Sequence, residues 1–199
     1  MGLGAFISGA IGLVSSAFGA VTGALSAVLG PFALPLITFL VTTKTGQKLI
    51  RNLLTSLGII EKEDDEKLRE RGERVLQAAE RGVKREKFDD FDDFEKALNG
   101  FELDEEKMKK RTKDEQIAAG LVYSCYELQE KKGLDVMDAI KLSQENSELL
   151  EKDGVSFNEL VNELTEKGLI KIRDFYAGNL STKKTEEMDE ILKKYNTKV

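Results

Sequence analysis

Residues 1–43 carry no charged side chain, yet glycine, alanine and serine run all through them. Gly4, Ser8, Gly12, Ser16, Ala20 and Ala24 follow one another at four-residue intervals, and Ser15, Gly19, Gly23 and Ala27 form a second such row. Residues four apart share a helix face, so both rows predict flat ridges on which another backbone can come close. Phe6, Ile11, Phe18, Val21, Leu25 and Val28 fill the faces between them. Gly19–Gly23 is a small-xxx-small unit of the sort found at helix interfaces in membranes. The expected helix-packing positions are Gly4, Ser8, Gly12, Ser16, Gly19, Gly23 and Ala27.

Glycine costs a helix in water about 1 kcal/mol relative to alanine. A helix this rich in it needs surroundings that impose order. Lipid does so by forbidding unpaired backbone groups, and close packing against neighbouring helices does so equally. The run from Leu3 to Leu29 is long enough to span a bilayer, for which about 20 apolar residues suffice. Its glycine and serine keep it only moderately hydrophobic, so lipid contact and burial in a protein assembly both stand as expectations. Gly30-Pro31 is the expected hinge, because proline removes a donor and disfavours helix in the residue before it. The apolar stretch 32–43 is short for a full crossing, and a helical hairpin bent at Gly30-Pro31 is the simplest arrangement.

Beyond Thr43 the chain changes character. Lys44, Lys48 and Arg51 lie on one face of a helix expected over 44–60, opposite Leu49, Ile50, Leu53, Leu54 and Leu57, and no acid accompanies them. They are the expected membrane-interface anchors at anionic headgroups, although an ordinary bundle helix has the same pattern. The formal charge of the whole chain is −6, and its acidic excess lies beyond Ile60. That excess argues against nonspecific duplex binding, which depends on neutralising phosphates.

The rest reads as helices. Residues 61–101 are expected to be charged connector helices, beginning with one long exposed helix from Glu61 to Lys87, capped by Asp64 or Asp65. Phe91, Phe94, Leu98 and Phe101 then repeat at a helical period. Residues 102–199 read as a C-terminal bundle. Thr112–Glu115 and Ser156–Glu159 are capping-box signals, Asp135 is a cap for a helix running to Gly154, and Gly133, Gly168 and Gly178 are stops. Leu169–Ile172 is left as strand or helix. The fold class is therefore all-α, an apolar N-terminal hairpin attached to a charged multi-helix body. That body is expected to fold from about Glu61 onward without the N-terminal segment.

Little here supports catalysis. The chain has no histidine, the commonest general base and metal ligand, and one cysteine. Cys125 lies among Leu121, Val122 and Leu128 and reads as a small buried hydrophobe. Neither a phosphate-cradling glycine loop nor a nucleophile elbow is present. Asp89, Asp90, Asp92 and Asp93 lack the alternating ligands and turn glycine of a calcium loop, and Asp153-Gly154 lacks the later glutamate that an EF-hand requires. The segment 156–172 has the outline of part of a winged helix–turn–helix, but Glu159, Glu163 and Glu166 oppose its few cations. No enzyme, cofactor, metal, small-molecule substrate or specific nucleic-acid site is expected. A secretory signal is not expected either, since the uncharged run lacks a positive n-region and exceeds an h-region in length.

The opening Met1-Gly-Leu-Gly-Ala-Phe-Ile-Ser-Gly-Ala-Ile-Gly, followed by charged helices, resembles the pilot and internal ejection proteins of phages in its layout. The resemblance covers roughly the first thirty residues. It implies a homo-oligomeric virion protein whose N-terminal hairpins enter a membrane to help conduct DNA, with the acidic body in an aqueous compartment. Two alternatives stand beside it. One is a structural subunit whose apolar N-terminus is buried in a partner ring or groove. The other is a cellular integral membrane protein with a soluble helical domain, consistent with positive charge directly after the apolar run.

Overall fold

The computed structural model describes residues 16–30, 36, 44–61, 64–152 and 155–196. Among these the chain is helical without strands, in eleven α-helices. They are α1 (Ser16–Leu29), α2 (Lys44–Ser56), α3 (Asp65–Glu80), α4 (Phe91–Asn99), α5 (Glu105–Lys109), α6 (Lys113–Lys132), α7 (Val136–Glu145), α8 (Ser147–Lys152), α9 (Val155–Glu166), α10 (Ile172–Tyr176) and α11 (Thr182–Asn196). The all-α class expected from the helix signals is present. The proposed hairpin partner over 32–43 lies, apart from Leu36, outside the described residues. Two compact units form, one from Met1–Lys48 with Glu63–Tyr126 and the other from Leu49–Lys62 with Glu127–Val199.

In the first unit α3 is the central element. Asp64 caps it by accepting from the Lys67 amide at 2.9 Å. Its end is set by Gly82, whose φ of +70° allows the Gly82 and Val83 amides to close back on the Ala79 and Ala78 carbonyls. The expected single exposed helix from Glu61 to Lys87 is therefore corrected in length and in setting. Leu68, Val75, Leu76 and Ala78 of α3 are buried. Gly72 is itself a packing residue of the buried face. A Cβ at Gly72 would lie 1.9 Å from the Gln116 carbonyl oxygen, and one at Gly120 would lie 2.1 Å from that of Leu68. At this crossing α3 and α6 touch backbone to backbone, and only glycine fits.

Asp90 caps α4 through the Asp93 amide at 2.8 Å, and α4 buries Phe91, Phe94 and Leu98. Phe91 and Phe94 pack against Tyr123 of α6 at ring separations of 6.4 and 6.5 Å. The Phe-Asp-Asp repeat thus resolves into a capped helix with its rings inward. Thr112 and Glu115 form the expected capping box. The Thr112 amide donates to the Glu115 carboxylate at 2.7 Å, and the Glu115 amide donates to the Thr112 hydroxyl at 3.2 Å.

In the second unit Asp135 caps α7 through the Met137 amide at 2.7 Å. The helix expected to continue to Gly154 breaks at Asn146, which has φ −132° and whose side-chain amide donates to the Leu142 carbonyl at 2.9 Å. Ser156 lies inside α9, which begins at Val155, so the second capping box is not the start of that helix. Leu169–Ile172 forms no strand; Ile172 opens α10. Asp138 fastens α10 to α7 by accepting from the Arg173 amide at 2.7 Å and its Nε at 2.9 Å. Glu163 fastens α11 to α9 by accepting from Lys194 at 2.6 Å and the Tyr195 hydroxyl at 3.0 Å.

Candidate helix-association face

The residues singled out for helix packing fall on α1, which has two unlike faces. Val21, Leu25, Val28 and Leu29 are buried, and α1 packs on α3. Gly19, Ala20, Gly23 and Ala27 are exposed. They fall at i, i+1, i+4 and i+8, so they form one continuous ridge on the side away from the buried face. Among the described residues a Cβ at Gly19 or Gly23 would meet nothing within 4 Å. The four-residue small-residue period is thus laid out along α1, but this chain's own described residues do not pack into it. Ser16 is the first residue of α1, whereas Gly4, Ser8 and Gly12 lie outside the described residues.

The partition has a simple cause. A helix that must dock on α3 buries the side chains with the most apolar area, and β-branched and leucine side chains outcompete glycine and alanine for that role. Burying each of the four large residues is worth about 1.5–3 kcal/mol against full exposure. What remains outside is a surface with little apolar area and close access to the backbone.

Gly30 follows α1 with φ +78°, a left-handed conformation that ends the helix at the expected hinge; Pro31 lies outside the described residues. Lys44 opens α2, Lys48 is exposed and Arg51 is half-buried. Ile50, Leu53, Leu54 and Leu57 are buried, so the amphipathic division read from the sequence holds. Among the described residues no helix is long and apolar enough to cross a membrane.

Other possible sites have structural explanations. Among the described residues no three His, Cys, Asp or Glu side chains converge on a metal-holding arrangement. Asp93 pairs with Lys96 at 2.9 Å. An open depression of about 380 Å³ beside Asp138, Lys171, Arg173 and Asp174 contains the α7–α10 fastening itself. Cys125 is buried and forms no disulfide.

The residues that sequence reasoning missed are polar and buried. Glu73, Gln77 and Gln116 have 0, 1 and 0% of their surface exposed. Gln77 Nε2 donates to Glu73 at 2.9 Å, and Gln116 Nε2 donates to the other Glu73 oxygen at 3.3 Å. The available signal was the four-residue step from Glu73 to Gln77 beside Gly72, which puts an amide next to a carboxylate on the close-packed side of α3. No family model matches the chain, and comparison with curated proteins and with solved structures finds no match.

Proposed function

We propose that this chain is a non-enzymatic, assembly-directed subunit that joins copies of itself through the outward ridge of α1, in the manner of a virion or conduit component. The observation that carries this reading is the open ridge of Gly19, Ala20, Gly23 and Ala27 on a helix whose other face is already buried. Small residues gain little from lipid, because the free energy scales with apolar area. They gain more from a second helix, whose backbone can approach to van der Waals distance along the ridge.

Membrane contact is the second reading. It is favoured by the uncharged run ending at the basic face of Lys44, Lys48 and Arg51. Insertion of α1 would require peeling Val21, Leu25, Val28 and Leu29 from α3, which is why protein assembly ranks first.

The test is Gly19→Leu combined with Gly23→Leu in the full chain. Since among the described residues a Cβ at either position meets nothing within 4 Å and both positions lie on the face away from α3, docking of α1 on α3 is expected to survive the change. Sedimentation and crosslinking are expected to show an oligomer for the unmodified protein and its loss in the variant, with helical circular dichroism unchanged. Flotation with anionic vesicles separates the readings. Flotation of the unmodified protein that persists in the variant favours lipid, whereas an unmodified monomer that does not float overturns both.

A further inference from the structure

Residues 99–111, between α4 and α6, lie across α3 in an unusual manner. None of them is buried, although the residues beneath them are. They are held chiefly through main-chain atoms. Arg74 donates to the carbonyls of Asn99 and Phe101 at 3.3 and 3.1 Å, and Arg81 donates to that of Glu102 at 3.0 Å. Gln77 grips the backbone of Asp104 on both sides, donating to its carbonyl and accepting from its amide, each at 2.9 Å. Gln116 donates to the Met108 carbonyl at 2.8 Å. Two cations complete the attachment. Lys107 pairs with Glu80, and Arg111 bridges Glu80 and the buried Glu73.

Side chains of α3 and α6 thus read main-chain atoms of this segment, as the walls of a groove read those of a bound peptide. Here the occupant is covalently part of the chain. The balance of forces differs from that of its neighbours. α4 is anchored by Phe91, Phe94 and Leu98 and α6 by an unbroken buried run from Ala118 to Leu128, so releasing either exposes large apolar area. Lifting 99–111 exchanges its hydrogen bonds for bonds to water, so each contributes far less net than it would in an apolar medium. It also rehydrates Glu73, Gln77 and Gln116, recovering desolvation that burial of polar groups costs. Only the half-buried Phe101, Leu103 and Met108 resist, with Arg81 set 4.2 Å over the Phe101 ring. Segments with few buried apolar contacts are the ones that open below the global unfolding free energy.

We propose that residues 99–111 form a releasable strap, opening as a unit while α3 and α6 stay folded and uncovering the Glu73–Gln77–Glu80 face of α3. The strap is salt-sensitive, because the Lys107–Glu80 pair is part-exposed on both sides and screening weakens such a pair.

Hydrogen exchange of the full chain, followed by mass spectrometry, tests this. The Asp104 amide, bonded to Gln77, and the Met108 amide, bonded to the Asp104 carbonyl, report on the strap; the amides of 121–128 report on α6. Strap amides are expected to exchange at least about tenfold faster than those of α6. Glu80→Gln removes the charge from a part-exposed carboxylate and is expected to accelerate the strap roughly fivefold more, leaving 121–128 unchanged. Raising salt from about 0.05 M to about 0.5 M should accelerate the unmodified strap and change the variant less. Strap and α6 amides exchanging in step would overturn the proposal, as would a strap indifferent to both the substitution and salt.

Discussion

The Tyr195 hydroxyl donates to Glu163, which Lys194 also holds, so the joint between α9 and α11 rests on one carboxylate. Burial, followed by the bond to Glu163, pushes the Tyr195 phenol up to about 12 from 10.0. The hydrogen bond from Lys194 holds the Glu163 carboxyl below its ordinary range, against the opposing effect of burial. The signs differ. A raised phenol pKa contributes stability that is whole below pH 10 and lost as pH rises through about 12. A depressed carboxyl contributes stability that is present above its ordinary value of 4.5 and lost as pH falls through the lowered one. Tyr195→Phe is expected to cost about 1 kcal/mol at neutral pH and to flatten the alkaline limb of the stability profile. Urea unfolding of both proteins, at neutral pH and near the alkaline end, measures this; a variant as alkali-sensitive as its parent would place the effect elsewhere.

At the scale of elements, α3 and α6 meet at Gly72 and Gly120, where each helix presses on a carbonyl of the other. Backbone oxygens cannot rotate away as a flexible side chain can, so an added methyl must separate the helices. Gly72→Ala and Gly120→Ala are each expected to destabilise the first unit by about 1–3 kcal/mol or more through overpacking, despite alanine's better helix propensity. Gly23→Ala on the open ridge of α1 supplies the contrast. Nothing among the described residues opposes it, and it should leave the monomer neutral or up to about 1 kcal/mol more stable. Thermal unfolding of the three variants decides whether glycine is needed for space or merely tolerated at each position.

For the whole molecule, the sequence led to a body that folds from about Glu61 alone, because its caps and apolar periods lie beyond that point. Burial of Val21, Leu25, Val28 and Leu29 with α1 packed on α3, and of Leu53, Leu54 and Leu57 in α2, changes that expectation. A fragment 61–199 should keep most of its helical circular dichroism but bind a hydrophobic dye and unfold at lower temperature than the full chain. An equal melting temperature without dye binding would show that the N-terminal helices contribute no stability to the remainder.

The sequence by itself determined the all-α class, several helix starts and stops and the apolar face of α2, because caps, stops and hydrophobic period are local signals. Asp64, Thr112 with Glu115, Asp135, Gly133 and Gly168 act where their residue types said they would. The outward course of the Gly19–Gly23 ridge was less legible. A four-residue period places small residues on one face but does not say whether that face or the bulky one meets the body. Only the tertiary structure decided that α1 spends its large side chains on α3, and that α3 and α6 meet backbone to backbone at Gly72 and Gly120. It also decided that Glu73, Gln77 and Gln116 are buried beneath 99–111. These facts depend on which distant segments come together, and a charged residue on a helix carries no local mark distinguishing a solvated face from one covered by another part of the chain.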